Sequence, residues 1–175
     1  MRIVLCLSLV ALICSGCAGV GGSRPTVNLT NSFDPAKVAH IHMKGTNTIK
    51  GSGVIRQAGG GAVTAAGCEV SLNPVTAYSD ERAMHIYGNL ERGYKAADIF
   101  TYKWDPPTPQ EYRDAQRTTV GDAQGFFEFR NVPDGLYRVA ISIVWSPGDY
   151  RWAGGALMQQ VTVSGGETVT VVLAP

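Results

Sequence analysis

The fold class is decided by residues 137–145, YRVAISIVW. Every second residue of this stretch, from Tyr137 to Trp145, is large and apolar, and the residues between them are mostly small or polar. Side chains of a β-strand point alternately to opposite faces, so this period of two indicates a strand with one buried face. We therefore predict a strand here, the clearest one in the chain.

Shorter stretches on both sides have the same period. Residues 127–129 (FEF) alternate in this way, and residues 49–55 and 68–72 predict two more strands that a glycine-rich turn separates. Residues 161–163 and 169–173 predict a C-terminal hairpin with its apolar sides inward. Six or seven short strands joined by turns are typical of an all-β sandwich.

A helical insertion is predicted at about residues 77–118, where the strand pattern stops. Ser79 is suited to begin a first helix, with Met84 and Tyr87 facing inward, and Gly88 is suited to end it. Residues 108–111 (TPQE) have the pattern of a capping box and predict a second helix that runs to about residue 117. A sandwich does not need these helices to close its core, so we interpret the segment as a graft on a finished scaffold.

Composition excludes several classes of protein. The chain has 175 residues with 21 glycines, 17% charged residues and a formal net charge of +1. The length suits one domain, and the high glycine and low charge content disfavour a coiled coil or helical bundle. No basic excess is available to hold a phosphate backbone, so we predict no nucleic-acid partner.

The N-terminus has the organisation of a signal peptide. Arg2 precedes an apolar run at residues 3–13, which is too short to span a membrane. Residues 13–17 (ICSGC) resemble the bacterial lipobox, in which small residues precede a cysteine that is lipidated. The resemblance implies that residues 1–16 are a lipoprotein signal peptide and that Cys17 is the lipid attachment site.

The predicted lipid determines the expected location. We expect residues 17–38 to be a lipidated flexible tether, because this stretch is rich in glycine, serine, threonine and asparagine. The lipid would be the membrane partner of the protein in the bacterial cell envelope. Ala18 follows the cysteine in place of the aspartate that the familiar sorting pattern uses for inner-membrane retention, so we expect the outer membrane, facing the periplasm.

Cysteine usage leaves one thiol in the folded domain. Of four cysteines, Cys6 and Cys14 would leave with the signal peptide and Cys17 would carry the lipid, so no intramolecular disulfide is expected. Cys68 alternates with apolar residues, and we interpret it as a small core residue.

Several motifs of the mature chain resemble one known family. Residues 122–129 (DAQGFFEF) and 132–139 (VPDGLYRV), with 51–54 and 67–72, resemble the carboxypeptidase regulatory-like domain. That resemblance implies a seven-stranded transthyretin-like (prealbumin-like) β-sandwich over residues 39–175, interrupted by the helical insertion. It also implies binding or scaffolding rather than catalysis, with Tyr137 pointing inward and its hydroxyl free to pair near the preceding loop.

Candidate catalytic and metal chemistry is sparse. His40 and His42 would lie on one face of a first strand, where two imidazoles could chelate a metal. The segment resembles the Ala-His-Ile-His of intradiol dioxygenases, but in that family the histidines follow the hairpin that here comes later. We therefore predict no metal, no cofactor and no catalytic residues, and we interpret both histidines as polar residues on an outer strand face.

Aromatic residues give the remaining functional signal. Tyr94, Phe100, Tyr102 and Trp104 cluster in the insertion, and Trp152 lies in a second predicted loop. Such rings could stack on a sugar or a protein partner, although we favour the interpretation that they pack the insertion onto the sandwich. The predicted function is a non-enzymatic interaction or scaffolding module with an envelope protein or glycan partner. The alternatives are a carbohydrate- or peptidoglycan-binding lipoprotein and, disfavoured, an intradiol-dioxygenase-like metalloprotein.

Overall fold

The computed structural model describes residues 24–97, 102–148 and 152–175. Strands make up 48% of these residues, which confirms the all-β prediction. Eleven strands are described rather than the predicted seven: β1 Thr26–Asn28, β2 Asn47–Arg56, β3 Ala62–Thr64, β4 Glu69–Pro74, β5 Arg92–Ala96, β6 Lys103–Asp105, β7 Arg117–Val120, β8 Phe126–Val132, β9 Gly135–Trp145, β10 Ala153–Val163 and β11 Thr168–Leu173. Two α-helices, α1 Ala77–Tyr87 and α2 Gln110–Asp114, and a 3-10 helix, Pro35–His42, complete the described elements.

The strands form two main sheets and one small one. The first main sheet has the order β5-β10-β9-β4-β7, with every neighbouring pair antiparallel. In the second, β2 pairs with β11 in parallel on one side and with β8 and then β3, both antiparallel, on the other. The small sheet is the parallel pair β1-β6. The strand that the alternation of residues 137–145 predicts is β9, and it lies at the centre of the five-stranded sheet.

The core lies between the two main sheets. It is built from the residues of alternate strand positions, all of them less than 5% exposed: Ile49, Val70, Leu72, Phe127, Phe129, Val139, Ile141, Ile143, Leu157, Val171 and Leu173. Gly51 allows the close approach of the strands here, since a Cβ at this position would overlap the Phe127 ring and lie 2.7 Å from the carbonyl oxygen of Val171. Cys68 is partly buried and packs against this core, just before β4 begins.

The turn chemistry of the predicted motifs is present. The Tyr137 side chain is fully buried, and its hydroxyl donates to the Pro133 carbonyl oxygen at 3.0 Å. Asp122 accepts hydrogen bonds from the backbone N–H groups of Gln124 and Phe126, both at 2.9 Å, and so holds the turn before β8. The Tyr137 contact confirms the inward ring and the paired hydroxyl that the family resemblance implies.

The predicted C-terminal hairpin is wrong. β10 pairs with β9 and β5, whereas β11 crosses to the other sheet and pairs in parallel with β2. Asn47, at the start of β2, is buried and fixes this crossing, because its side-chain oxygen accepts from the N–H groups of Gly166 and Glu167 at 2.8 and 3.0 Å. Both strands still point apolar residues inward, which is the part that alternation could predict.

The histidine pair does not lie on a strand. Asp34 caps the 3-10 helix by accepting from the Ala36 N–H at 3.0 Å, and Pro35 follows it at the start of the helix. The helix buries Val38 and Ile41, which leaves His42 exposed. A spacing of three residues therefore places the apolar side chains inward, and the predicted outer strand is replaced by a helical turn.

The segment predicted as a helical insertion contains three strands as well as two helices. β5 is the edge strand of the five-stranded sheet, paired with β10 from Arg92 to Ala96. α1 begins with Thr76 rather than Ser79 as its cap, in a reciprocal capping box with Ser79, and ends at Gly88 in the left-handed conformation as predicted. Part of the insertion is therefore built into the sandwich and is not a separate graft.

Two details of the predicted helices are also wrong. Met84 is 48% exposed rather than inward-facing. α2 has only five residues and no side-chain cap, because the Thr108 hydroxyl accepts a hydrogen bond from Arg82 and does not bond to the start of the helix.

The described part of the predicted tether is packed against the domain. Residues 24–38 include β1 and the first half of the 3-10 helix, and they bury Val38. The sequence missed this packing because β1 has only three residues and pairs with a strand far along the chain. Residues 1–23, with the proposed signal peptide and Cys17, lie outside the described residues. No helix within the described ranges is long and apolar enough to cross a membrane.

Candidate functional site

An aromatic cluster covers α1 on the side of the N-terminal segment. The rings of Tyr78 and Tyr112 lie 5.0 Å apart between centroids, and Phe33 packs edge-on against both at 5.8 and 5.3 Å. Tyr78 is 1% exposed and Tyr112 is 8% exposed. Edge-to-face packing is the favoured geometry of aromatic pairs, so this cluster is a rigid base.

Arg82 connects that base to a tryptophan at the surface. Its guanidinium carbon lies 4.2 Å from the ring centroid of Trp104 and 5.2 Å from that of Tyr112. The same side chain donates to the Thr108 hydroxyl at 2.9 Å and to the Tyr78 hydroxyl at 3.2 Å. A cation over an indole face is favourable, and here the hydrogen bonds fix the cation as well. Trp104 is therefore held in one orientation.

The small sheet fixes the backbone beneath Trp104. Val27 of β1 is the register partner of Trp104 in β6. The Lys103 N–H donates to the Pro25 carbonyl oxygen at 3.0 Å, and the Leu29 N–H donates to that of Asp105 at 2.7 Å. The N-terminal segment thus supports the strand that carries the tryptophan.

Glu81 holds the N-terminal segment against α1. Its two carboxylate oxygens accept from the backbone N–H groups of Thr30 and Asn31, both at 2.8 Å, and from their side chains, both at 2.9 Å. These bonds, first among them the one from the Thr30 backbone, stabilise the charged form and lower the pKa of Glu81 to about 2. We call this contact the Glu81 latch.

A wide groove opens beside Trp104. Its volume is about 620 Å³, and it is lined by Arg24, Thr26, Tyr102, Lys103, Trp104, Pro107, Thr108 and Arg113. The ring centroids of Tyr102 and Trp104 are 5.4 Å apart with a tilt of 41°. The size is in the range of small-molecule sites, and the lining joins aromatic rings to a few polar groups. We call it the Trp104 groove.

A second cavity shares the same two rings. It has a volume of about 220 Å³ and lies over the outer face of the five-stranded sheet, lined by Ile86, Tyr87, Lys95, Tyr102, Trp104, Ser142 and Ala156. Tyr102 and Trp104 are thus a wall between two depressions. Rings that line two cavities at once offer a contact surface to an elongated ligand.

A third cavity, of about 190 Å³, lies beneath α1 and is lined by both polar and apolar residues. Arg138, only 4% exposed, donates there to the Asp80 carboxylate, to the Leu90 carbonyl oxygen at 3.0 Å and to the Gln160 side chain at 3.2 Å. Burial raises the pKa of the nearby Tyr87 to about 12. These bonds fasten α1 to the sheet, so we assign this cavity a structural role.

The structure unites only some of the residues that the sequence singled out. Tyr102 and Trp104 come together, whereas the Tyr94 hydroxyl bonds to the Gly154 carbonyl oxygen at 2.9 Å outside the groove lining. Trp152 is 67% exposed and is also absent from the groove lining. Phe100 lies outside the described residues.

The histidines do not form a metal site in the described part of the chain. The His42 ring Nε2 lies 2.7 Å from the Asp114 carbonyl oxygen, and His85 packs at 6.4 Å from the Trp104 ring centroid. No cluster of three or more metal-ligating side chains occurs within residues 24–97, 102–148 and 152–175.

Sequence reasoning missed the residues that hold the groove together. Arg82 is 26 residues from Thr108, and Glu81 is 51 residues from Thr30. The alternation that reveals a strand does not report contacts between such distant segments. The only local signals were the concentration of aromatic residues at 94–104 and the capping pattern that begins α1.

Comparison with known proteins finds similarity only among the solved structures. No protein-family model matches the chain, and no curated protein matches it. The crystal structure of a protein from Pseudomonas aeruginosa, provisionally described as a carbohydrate-binding protein, is similar, with a TM-score of 0.67 and 25% sequence identity. The similarity covers 83% of this chain and 99% of that chain, so the two proteins share nearly the whole sheet-rich fold.

Proposed function

We propose that this protein is a carbohydrate-binding lipoprotein of the bacterial envelope and that the Trp104 groove is its binding site. The observation that carries the proposal is the pair of rings, Tyr102 and Trp104, held at the wall of an open groove. A sugar presents an apolar C–H face that packs on an aromatic ring and hydroxyls that pair with polar groups at the rim. The description of the Pseudomonas aeruginosa protein agrees with this assignment.

This proposal prefers the function that the sequence analysis gives as its alternative. A docking module for an envelope protein is the first interpretation from sequence, and a carbohydrate or peptidoglycan binder is the alternative. Arg82 and β1 fix Trp104 before any ligand arrives, so little side-chain entropy is lost on binding. We propose binding without catalysis, on the transthyretin-like sandwich that the carboxypeptidase regulatory-like motifs suggest.

The proposed lipid places the groove close to the membrane. Arg24 lies in the groove lining and is seven residues after Cys17. A fully extended chain of that length spans about 25 Å at most. The groove would therefore bind glycans next to the bilayer, in keeping with the outer-membrane, periplasm-facing location that we propose.

The test of binding is calorimetric titration of the lipidated protein, purified in a detergent without a sugar head group. The ligands are neutral and acidic oligosaccharides, including soluble peptidoglycan fragments. Trp104→Ala should weaken binding about tenfold or more, which corresponds to ~1.4 kcal/mol. Trp104→Phe, which keeps a ring, should weaken it less, and Trp152→Ala is the matched control outside the groove lining. Absence of binding by the wild type, or equal affinities for Trp104→Ala and the control, would reject the proposal.

The anchor has its own test. Cys17→Ser should abolish labelling with radioactive palmitate and release the protein from the membrane fraction, because a serine oxygen cannot form the thioether. Cys68→Ser, a substitution of the same kind in the folded domain, should keep the label. If the Cys17 variant remains labelled in membranes, the lipoprotein proposal is wrong.

A further inference from the structure

The charged side chains that line the Trp104 groove are all cationic. Three cationic side chains line it, Arg24, Lys103 and Arg113, and its described lining includes no carboxylate. They come from the N-terminal segment, β6 and α2, so no single stretch of sequence contains all three. Within the described residues none of them is in an ion pair, whereas Lys50, Arg130 and Arg138 are paired.

This charge is local and does not follow from the composition. Removal of residues 1–16 takes away Arg2 alone among the charged residues, which leaves 14 basic and 14 acidic residues in a chain of zero net charge. A neutral protein that gathers three cations at one aromatic-lined groove has a focused positive potential there. Such a potential favours an anionic ligand.

Polar groups at the groove are arranged to donate. The Thr108 hydroxyl oxygen accepts from Arg82, which leaves the hydroxyl proton available for a ligand. Arg113 uses its Nε to bond to Gln110 at 3.2 Å, so its terminal nitrogens remain for other partners. Guanidinium groups match the two oxygens of a carboxylate or phosphate group in a bidentate pair.

We propose that the ligand of the groove is an acidic saccharide. Its sugar ring packs on Tyr102 and Trp104, and its carboxylate or phosphate is bound by Arg24, Lys103 and Arg113. This inference rests on the proposed function, because it names the class of carbohydrate that the same site binds. The shared chemistry is a sugar with an anionic substituent, and the experiment separates the two kinds of anion.

The experiment compares pairs of saccharides that share a sugar skeleton, one member with an anionic substituent and the other without it. Oligogalacturonate is titrated against its methyl ester, and mannose 6-phosphate against mannose, within an array of other acidic and neutral pairs. We expect the acidic member of at least one pair to bind about tenfold more tightly or better. This preference should shrink as the salt concentration rises from about 50 mM to about 500 mM, because salt screens exposed charges.

Matched charge variants localise the effect. Lys103→Gln combined with Arg113→Gln should reduce affinity for the acidic member about tenfold and change affinity for its neutral partner by roughly twofold or less. Lys44→Gln combined with Arg56→Gln removes the same charge at exposed positions outside the groove lining and should leave both affinities unchanged.

The outcomes distinguish this inference from the proposed function. A preference for carboxylates or for phosphates supports it and identifies the anion. Equal or tighter binding of the neutral members, or an equal loss in both double variants, overturns the acidic ligand while carbohydrate binding stands. If no saccharide of the array binds, the proposed function fails and this inference fails with it.

Discussion

The two faces of β9 border two different layers of the molecule. Tyr137, Val139 and Ile141 point into the apolar core between the sheets. Arg138 is buried on the opposite face, where it bonds to α1, and Ser142 lines the cavity beside Trp104. The inner layer is held by continuous apolar packing, whereas the outer layer is held by specific hydrogen bonds and cation–aromatic contacts between distant segments. This difference indicates that the inner layer forms the apolar core of the fold. The outer layer is partly built into the sandwich, and it contains the groove that we propose as the binding site.

The largest expected effect comes from removing part of the outer layer. Replacement of residues 80–116 by a short Gly/Ser linker removes most of α1 and all of β5, and it deprives buried Arg138 of Asp80 and of the Leu90 carbonyl. The deletion also uncovers Tyr78 and Met158, which are 1% and 2% exposed in the intact protein. Burial of one such side chain stabilises a fold by about 1.5–3 kcal/mol, and a typical domain is stable by only ~5–15 kcal/mol. We expect no cooperative thermal transition by circular dichroism.

The graft interpretation predicts the opposite result for this deletion. A control replaces residues 58–61, the exposed glycine-rich turn between β2 and β3, with the same linker and should melt cooperatively. A deletion of residues 80–116 that also melts cooperatively near the wild-type temperature would show that the outer layer is dispensable for folding.

A smaller effect is expected from a single core truncation. Leu157→Ala in β10 removes a side chain that is fully buried between the sheets and should lower the free energy of unfolding by about 2–5 kcal/mol. Leu136→Ala removes the same atoms from a side chain that is 39% exposed and should cost less. Urea denaturation measures both, and equal losses would contradict the assignment of the core to the inner layer.

The smallest effect concerns the Glu81 latch and depends on pH. The pKa of Glu81 is lowered from 4.5 to about 2, so the charged carboxylate stabilises the fold fully above about pH 5 and loses this contribution as the pH falls toward 2. Glu81→Gln should therefore melt slightly below the wild type at pH 7, and the difference should shrink at pH 3.

Hydrogen exchange at the Thr30 and Asn31 amides follows the same latch locally. Both amides should exchange faster in Glu81→Gln than in the wild type at neutral pH, because they lose their carboxylate acceptor. Glu111→Gln, the same change in α2, is the control. Unchanged exchange at both amides would show that the latch does not hold the N-terminal segment.

The contrast between the layers also explains what the sequence could predict. Alternation identified β9, the apolar faces of β8 and β11 and the last three residues of β10, because a strand with one buried face shows this period in its own sequence. It could not predict that β11 pairs with β2. That pairing depends on a hydrogen bond between Asn47 and Gly166, which are 119 residues apart in the sequence.

The candidate site was predicted only in part for the same reason. Tyr102 and Trp104 stood out as aromatic residues close together in sequence. Arg82 and Arg24 gave no local signal, because each acquires its role only when three segments assemble. The predicted strand at His40 and His42 is wrong because Val38 and Ile41, three residues apart, are both buried, and a helical turn places them on the same side.

The central claim, that Trp104 contacts a bound saccharide, is tested most directly by nuclear magnetic resonance of the three tryptophan indole N–H groups. Single Trp→Phe variants assign the three signals, and the saccharide that binds most tightly in calorimetry is then titrated into the wild-type protein. We predict a saturable shift of the Trp104 signal, with the signals of Trp145 and Trp152 unchanged. A titration in which the Trp104 signal does not move, or in which only Trp152 responds, would contradict the assignment of the groove.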